Sequence, residues 1–147
     1  MRTLTKVSAR LIAAVLAVAS VAPVAQAQNE LFVSRVNVPF AFETVSGQQF
    51  QPGVYTIRIN SMQTMVIRSA SSSGLAMIQA QANEGRPSPQ GKAVFTHYGD
   101  RYYLRSVSVA GSSTRLLFGR SKEERKTQMA TGETPSAVEL ALLQAGR

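Results

Sequence analysis

The chain has no cysteine and no tryptophan, one histidine, and eight acidic residues against sixteen basic ones. Without cysteine there is no disulfide and no thiolate ligand, so stability must come from the core. A protein zinc site draws several ligands from Cys, His and carboxylates, and His97 with scattered acids is a poor supply. Four of the carboxylates, Glu123, Glu124, Glu133 and Glu139, fall in the polar C-terminal stretch; Asp100 sits in a turn, Glu84 in a loop, Glu30 near the expected mature N-terminus and Glu43 after the first strand. No Gly-x-Ser-x-Gly elbow, phosphate loop or metal-ligand spacing occurs. The sequence therefore names no catalytic residue, no metal site and no cofactor. His97, placed beside Tyr102 across a hairpin, reads as a histidine at the edge of the core.

The first 27 residues carry an export signal. Arg2, Lys6 and Arg10 form a basic n-region, Leu11 to Ala22 is small and apolar apart from Ser20, and Ala25-Gln26-Ala27 is a small-x-small cleavage site. The apolar run is shorter than the roughly 20 residues of a membrane span. With no cysteine after it, lipid attachment at that position is excluded. The expected mature chain starts near Gln28, lies in the periplasm or outside the cell, and has no transmembrane span. Its charge is about +5, thirteen basic residues (sixteen less three) against eight acidic. Such a surface favours anionic partners, an acidic glycan or the envelope surface, and export makes nucleic acid an unsuitable one.

What is present is period-two alternation. Phe32, Ser34, Val36, Val38, Phe40 and Phe42 fall on one face of Leu31 to Phe42. Pro39 cannot donate to a ladder, so the strand should reach an edge or a bend there. Gln51-Pro52-Gly53-Val54 has the pattern of a type II turn. Tyr55, Ile57 and Ile59 alternate in the next strand, Thr64 to Arg68 partners it, and Leu75 to Ala82 reads as a strand with a short helix as the alternative. Residues 83–91 form a polar loop with two prolines, the longest break in the pattern.

The stretch from Lys92 to Arg125 organises the second half. Gly99-Asp100 suits a two-residue type II′ hairpin loop. That turn sets Tyr98 opposite Arg101, His97 opposite Tyr102, Thr96 opposite Tyr103, Phe95 opposite Leu104 and Val94 opposite Arg105. Ala93, Phe95, His97, Tyr102 and Leu104 then form a core face, while Val94, Thr96, Tyr98, Arg101, Tyr103 and Arg105 form a solvent face. Val107 and Val109 fall out of phase, which a bulge near Ser106 would repair. Thr114 to Phe118 is a last short strand. Ser121 and Glu124 match a capping box that opens a helix reaching about Ala130, and Gly132 ends it. Ser136 and Glu139 repeat the box, predicting a second helix with Val138, Leu142 and Ala145 on one stripe. The expected architecture is mainly β: an antiparallel meandering sandwich or small barrel of seven to eight short strands with a helical C-terminal tail. The segments are a signal peptide over 1–27, a β domain over 28–130 and a helical or flexible tail over 131–147. Strands shorter than roughly 9–11 residues and helix signals at the C-terminus argue against an outer-membrane barrel.

Several blocks resemble a family of short exported bacterial proteins of the acidobacterial type: Val38-Pro39-Phe40-Ala41-Phe42, Pro52-Gly53-Val54-Tyr55-Thr56-Ile57, Phe95 to Leu104, and Ser121 to Arg125. The second block often reads Pro-Ala-Gly in that family, and the third usually has Tyr-Phe-Leu where Tyr102-Tyr103-Leu104 stands here. The resemblance implies export and a compact β-rich domain, and it supplies no activity.

The candidate site is Tyr98, Arg101, Tyr103 and Arg105, two aromatic planes beside two planar cations. One reading is a cross-strand ladder that stabilises the sheet. The other is a binding face, with aromatics stacking on sugars and guanidinium groups pairing with carboxylate or phosphate. Two function classes follow: a non-enzymatic exported domain, structural or binding, directed towards anionic envelope polymers; or a small envelope-acting enzyme whose site the sequence does not identify.

Overall fold

A computed structural model describes residues 30–144. The signal segment and its cleavage site, like Ala145 of the expected second helix, lie outside the described residues. Among the described residues twelve strands and one helix succeed one another: β1 (Glu30–Val38), β2 (Phe42–Glu43), β3 (Gln49–Phe50), β4 (Gly53–Asn60), β5 (Thr64–Ser69), β6 (Leu75–Gln79), β7 (Gln81–Glu84), β8 (Lys92–Tyr98), β9 (Arg101–Ser108), β10 (Thr114–Leu117), α1 (Lys122–Thr131), β11 (Ser136–Ala141) and β12 (Leu143–Gln144).

They form two sheets and no closed barrel, a β sandwich with its helix near the C-terminus. The five-stranded sheet runs β12-β1-β4-β5-β6; the seven-stranded sheet runs β11-β8-β9-β10-β7, with β2 beside β9 and β3 beside β2. Consecutive strands pair in two meanders, β4-β5-β6 and β8-β9-β10, as short connections favour. Between them the core holds Val36, Val38, Ile57, Met65 and Ile67 from one sheet and Ala93, Phe95, Leu104, Val107 and Leu116 from the other. Phe42 joins the two: its ring lies 5.2 Å from those of Phe50 and Phe95 and 5.3 Å from that of Tyr55.

The chain changes sheet four times. It leaves β1 at Pro39, where the missing amide ends the ladder, and returns through Gln51-Pro52. Two crossings use one residue each, Ala80 between β6 and β7 and Leu142 between β11 and β12. Both side chains are buried, so each corner is anchored in the core. The Leu142 amide also donates to the Gly91 carbonyl at 2.9 Å, and the Ser34 hydroxyl donates to the Leu143 carbonyl at 2.6 Å.

Three local expectations need correction. Gly53 does not have a positive φ, so the Pro52-Gly53 turn is not type II; Gly53 instead opens β4, opposite Val38. The polar loop begins later than its composition implies, because β7 pairs as far as Glu84 with β10. The second capping box does not open a helix: Ser136–Ala141 is a strand paired with β8 from Lys92 to His97. Val138, Leu140 and Leu142 also alternate with period two, and the open edge of β8 offers that pattern six residues of ladder. Tertiary pairing outweighs a local cap when both fit the same residues.

The central hairpin follows the expected register as far as Phe95 and Leu104, and the expected pairing of Val94 with Arg105 is corrected. Tyr98 pairs with Arg101, His97 with Tyr102, Thr96 with Tyr103 and Phe95 with Leu104; then the register shifts and Val94 pairs with Ser106. Arg105 is the extra residue of the bulge, one place before the position read from the sequence. Gly99 has φ +58° while Asp100 does not enter the left-handed region, as a type II′ turn requires.

Candidate functional site

The outer face of the seven-stranded sheet has two halves. One is covered by α1. Ser121 caps the helix, accepting from the Glu124 amide at 3.0 Å, and Gly132 closes it at φ +60°. Helix α1 has no apolar stripe to bury, and its Met129 points to solvent. It docks instead through charge and hydroxyl groups.

Its docking partners are the residues expected at a solvent face, and this corrects that expectation. Tyr98 is 1% exposed and Tyr103 2% exposed, so neither ring is open to a sugar. Arg105, 22% exposed at its side chain, pairs with the buried Glu124. Its remaining donors reach the Thr96 hydroxyl at 3.1 Å and the Phe118 carbonyl at 3.2 Å. The Tyr98 hydroxyl donates to the same Glu124 carboxylate at 3.4 Å. Arg101 bonds Glu43 at 3.3 Å and the Thr127 hydroxyl at 3.2 Å, and its guanidinium lies 5.7 Å from the centre of the Tyr103 ring. Tyr103 and Thr127 share a hydrogen bond of 2.8 Å. Ser121 ties the two acids together, donating to Glu43 at 3.1 Å. Among the described residues no buried side-chain nitrogen or oxygen lacks a partner. Burial pushes the Glu124 carboxyl up, with Arg105 and Arg120 acting against it; burial and then the neighbouring Glu124 push the Tyr98 phenol up. The four candidate residues are thus brought together, but as the seat of a helix.

The second half of the face is an open groove of about 430 Å³. Register sets its floor. Arg115, Ser108 and Lys92 stand in one row across β10, β9 and β8, and Leu117, Ser106 and Val94 in the next. The proline loop forms a wall: Gly85 donates to Ser113 at 2.7 Å and Gly111 to Ser88 at 2.8 Å, which pins residues 85–88 to the β9–β10 turn. Gly91 lets this wall approach, since a Cβ there would lie 3.0 Å from the Ser108 carbonyl. Arg86 and Arg115 face the groove and make no ion pair among the described residues. Lys92 pairs with Glu139 at 3.0 Å in an exposed contact. Arg105 lies at the boundary, bonded under the helix while lining the groove.

The sequence hides this groove because its cations come from three separated segments. The signal that could have found it is the phase shared by Lys92, Ser106 and Ser108 once the bulge is placed, with Arg115 in register beside them.

His97 sits at the edge of the core, stacked on Tyr102 at 4.3 Å and 3.2 Å from the Ser136 hydroxyl. Tyr102 stacks in turn on Phe40 at 3.8 Å. Among the described residues no three His, Cys, Asp or Glu side chains gather as metal ligands, and no helix is long and apolar enough to cross a membrane. No protein-family model, curated protein or solved structure matches the chain.

Proposed function

We propose that this is an exported, non-enzymatic binding domain of the cell envelope, and that its ligand is an anionic polymer held in the groove beside α1. The observation that carries this reading is the juxtaposition of Arg86 and Arg115, without ion pairs among the described residues, with Lys92 and the hydroxyls of Ser108 and Ser112. Guanidinium groups pair with carboxylate and phosphate in a planar fork, and serine hydroxyls donate to the remaining oxygens. The single carboxylate in the groove, Glu139, is engaged with Lys92 in an exposed pair of the kind worth about 0–1 kcal/mol. A ligand anion exchanges with it at little cost. An open channel between sheet and loop suits a chain passing through more than a small molecule enclosed on all sides. In the Glu124–Arg105–Tyr98 cluster the two shifted groups, Glu124 and Tyr98, are buried and only Arg105 reaches the groove, so the cluster reads as structural.

The test uses protein recovered from the producing cell, whose N-terminus should lie near Gln28. Titration with a polyuronate, followed by calorimetry, should give binding that weakens steeply between low and physiological salt, because exposed charges are screened over about 8 Å. Arg86→Gln with Arg115→Gln should remove most of the affinity with an unchanged circular dichroism spectrum. Equal affinity in parent and double variant, or no binding of either a polyuronate or a polyphosphate, would sink the proposal.

A further inference from the structure

The outer face of the five-stranded sheet presents a different chemistry. Its register builds two transverse rows. Leu143, Arg35, Thr56, Arg68 and Leu75 stand side by side across β12, β1, β4, β5 and β6. Val33, Arg58, Val66 and Met77 form the next row. Leu75 is 47% exposed, Leu143 61% and Met77 70%. Of the six large hydrophobic side chains most exposed among the described residues, only Met129 lies outside this sheet and its β4–β5 turn. The face has a shallow basin of about 270 Å³ between Arg68, Thr64, Leu75 and Met77. Strands β4, β5, β6 and β12 contain no acidic residue, and β1 has only Glu30 at its first position. Arg35 and Arg68 are exposed and pair with no carboxylate among the described residues.

We infer that this face seats the protein on an anionic phospholipid surface. Three features select that occupant. Charge complementarity requires an anion and excludes the same face of a second copy, which would oppose arginine to arginine. Arginines stand within the aliphatic rows instead of ringing them, so there is no charge-depleted centre of the kind that protein interfaces carry. A lipid surface takes this pattern readily: aliphatic tips enter the headgroup boundary while long guanidinium side chains reach the phosphates, which can adopt any lateral spacing. The groove opens on the other sheet, so a domain seated this way would turn its groove away from the bilayer. The inference rests on this face alone and does not depend on what the groove binds.

Sedimentation with vesicles tests it. Protein recovered from the cell should bind vesicles containing phosphatidylglycerol and bind pure phosphatidylcholine vesicles at least tenfold more weakly. Each exposed arginine near an anionic surface contributes about fivefold, so Arg35→Gln with Arg68→Gln should lower partitioning by roughly 25-fold. Leu75→Ser with Met77→Ser should lower it by about tenfold or more at high salt, where the aliphatic contribution remains. Circular dichroism of each variant should match the parent. Failure to bind phosphatidylglycerol vesicles overturns the inference, as does equal binding to both lipids. If Arg86→Gln with Arg115→Gln abolishes vesicle binding while the sheet variants do not, the lipid site is the groove and the inference fails.

Discussion

The two outer faces of the sandwich follow the same alternation and both carry arginines, yet they have opposite fates. On the seven-stranded sheet Arg101 and Arg105 are matched by Glu43 and Glu124 and lie under a helix. On the five-stranded sheet Arg35 and Arg68 lie in solvent beside leucine and methionine. The difference is the placement of acids. Of the chain's eight acidic residues only Glu30 belongs to a strand of the five-stranded sheet. An arginine that shares a face with a buried carboxylate becomes a fastener of the fold. Arg35 and Arg68, which pair with no carboxylate among the described residues, are left for something outside the chain.

Breaking the fastener should have the largest effect. Arg105 and Glu124 are both well shielded, and removing one partner of a shielded pair leaves the other charge uncompensated, at a cost of about 3–5 kcal/mol. Glu124→Ala and Arg105→Gln should each lose that amount in urea denaturation. Near-ultraviolet dichroism should report release of Tyr98 and Tyr103 from beneath α1. Replacing both partners, Arg105→Met with Glu124→Leu, should recover part of the loss, because no charge is left uncompensated while the Tyr98 hydroxyl and the Phe118 carbonyl lose their partners. A loss below about 1 kcal/mol for either single variant, the range of an exposed pair, would mean that the helix is held by something else.

The covered face also shows where the sequence was legible and where it was not. Hairpin register came from Gly99-Asp100, a strong local signal, and the bulge came from the phase slip between Leu104 and Val107. The capping box at Ser121 announced the helix. What could not be read was that the helix would lie on Tyr98, Arg101, Tyr103 and Arg105. A Tyr/Arg face looks like a solvent face when burial is judged by polarity, and α1 is itself polar, so neither partner advertised an apolar surface to bury. The clue lay in the pairing of types: two arginines on one element, and Glu124, the third residue after the cap, on another. In the same way Ser136 to Leu142 satisfies both a helical stripe and a strand alternation, and only the vacant edge of β8 decides between them.

A smaller effect separates the charge on Glu124 from its shape. Burial raises this carboxyl above its ordinary value of 4.5, with Arg105 opposing. A carboxyl that binds its proton more readily when folded takes stability away as pH rises through the window between its unfolded and folded values, and gives it back as pH falls. The exposed Glu123 runs the other way, lowered chiefly by its hydrogen bond from Lys126, so its contribution is lost on acidification. Glu124→Gln keeps the shape and removes the titration. Parent stability, measured relative to that variant by urea midpoints, should therefore rise as pH is lowered from neutral towards the ordinary carboxyl range. Parallel curves for the two proteins would show that burial does not control this group.

The smallest expected effect is the one that sharpens the comparison most. Arg68 stands between Thr56 and Leu75 on an exposed face, and no carboxylate pairs with it among the described residues. Arg68→Gln removes a cation without stranding a partner and preserves a long polar side chain at a strand position. Solvent-face changes of this kind alter stability by less than about 0.5 kcal/mol. Met77→Ser on the edge strand β6 should be similarly mild, because its side chain is 70% exposed and takes little from the core. The same arginine-to-glutamine change should thus cost several kcal/mol at position 105 and almost nothing at position 68. If Arg68→Gln cost as much as Arg105→Gln, the five-stranded sheet would need its arginines to stay folded. They would then be part of the scaffold, and the case for an external anion on that face would lose its physical ground.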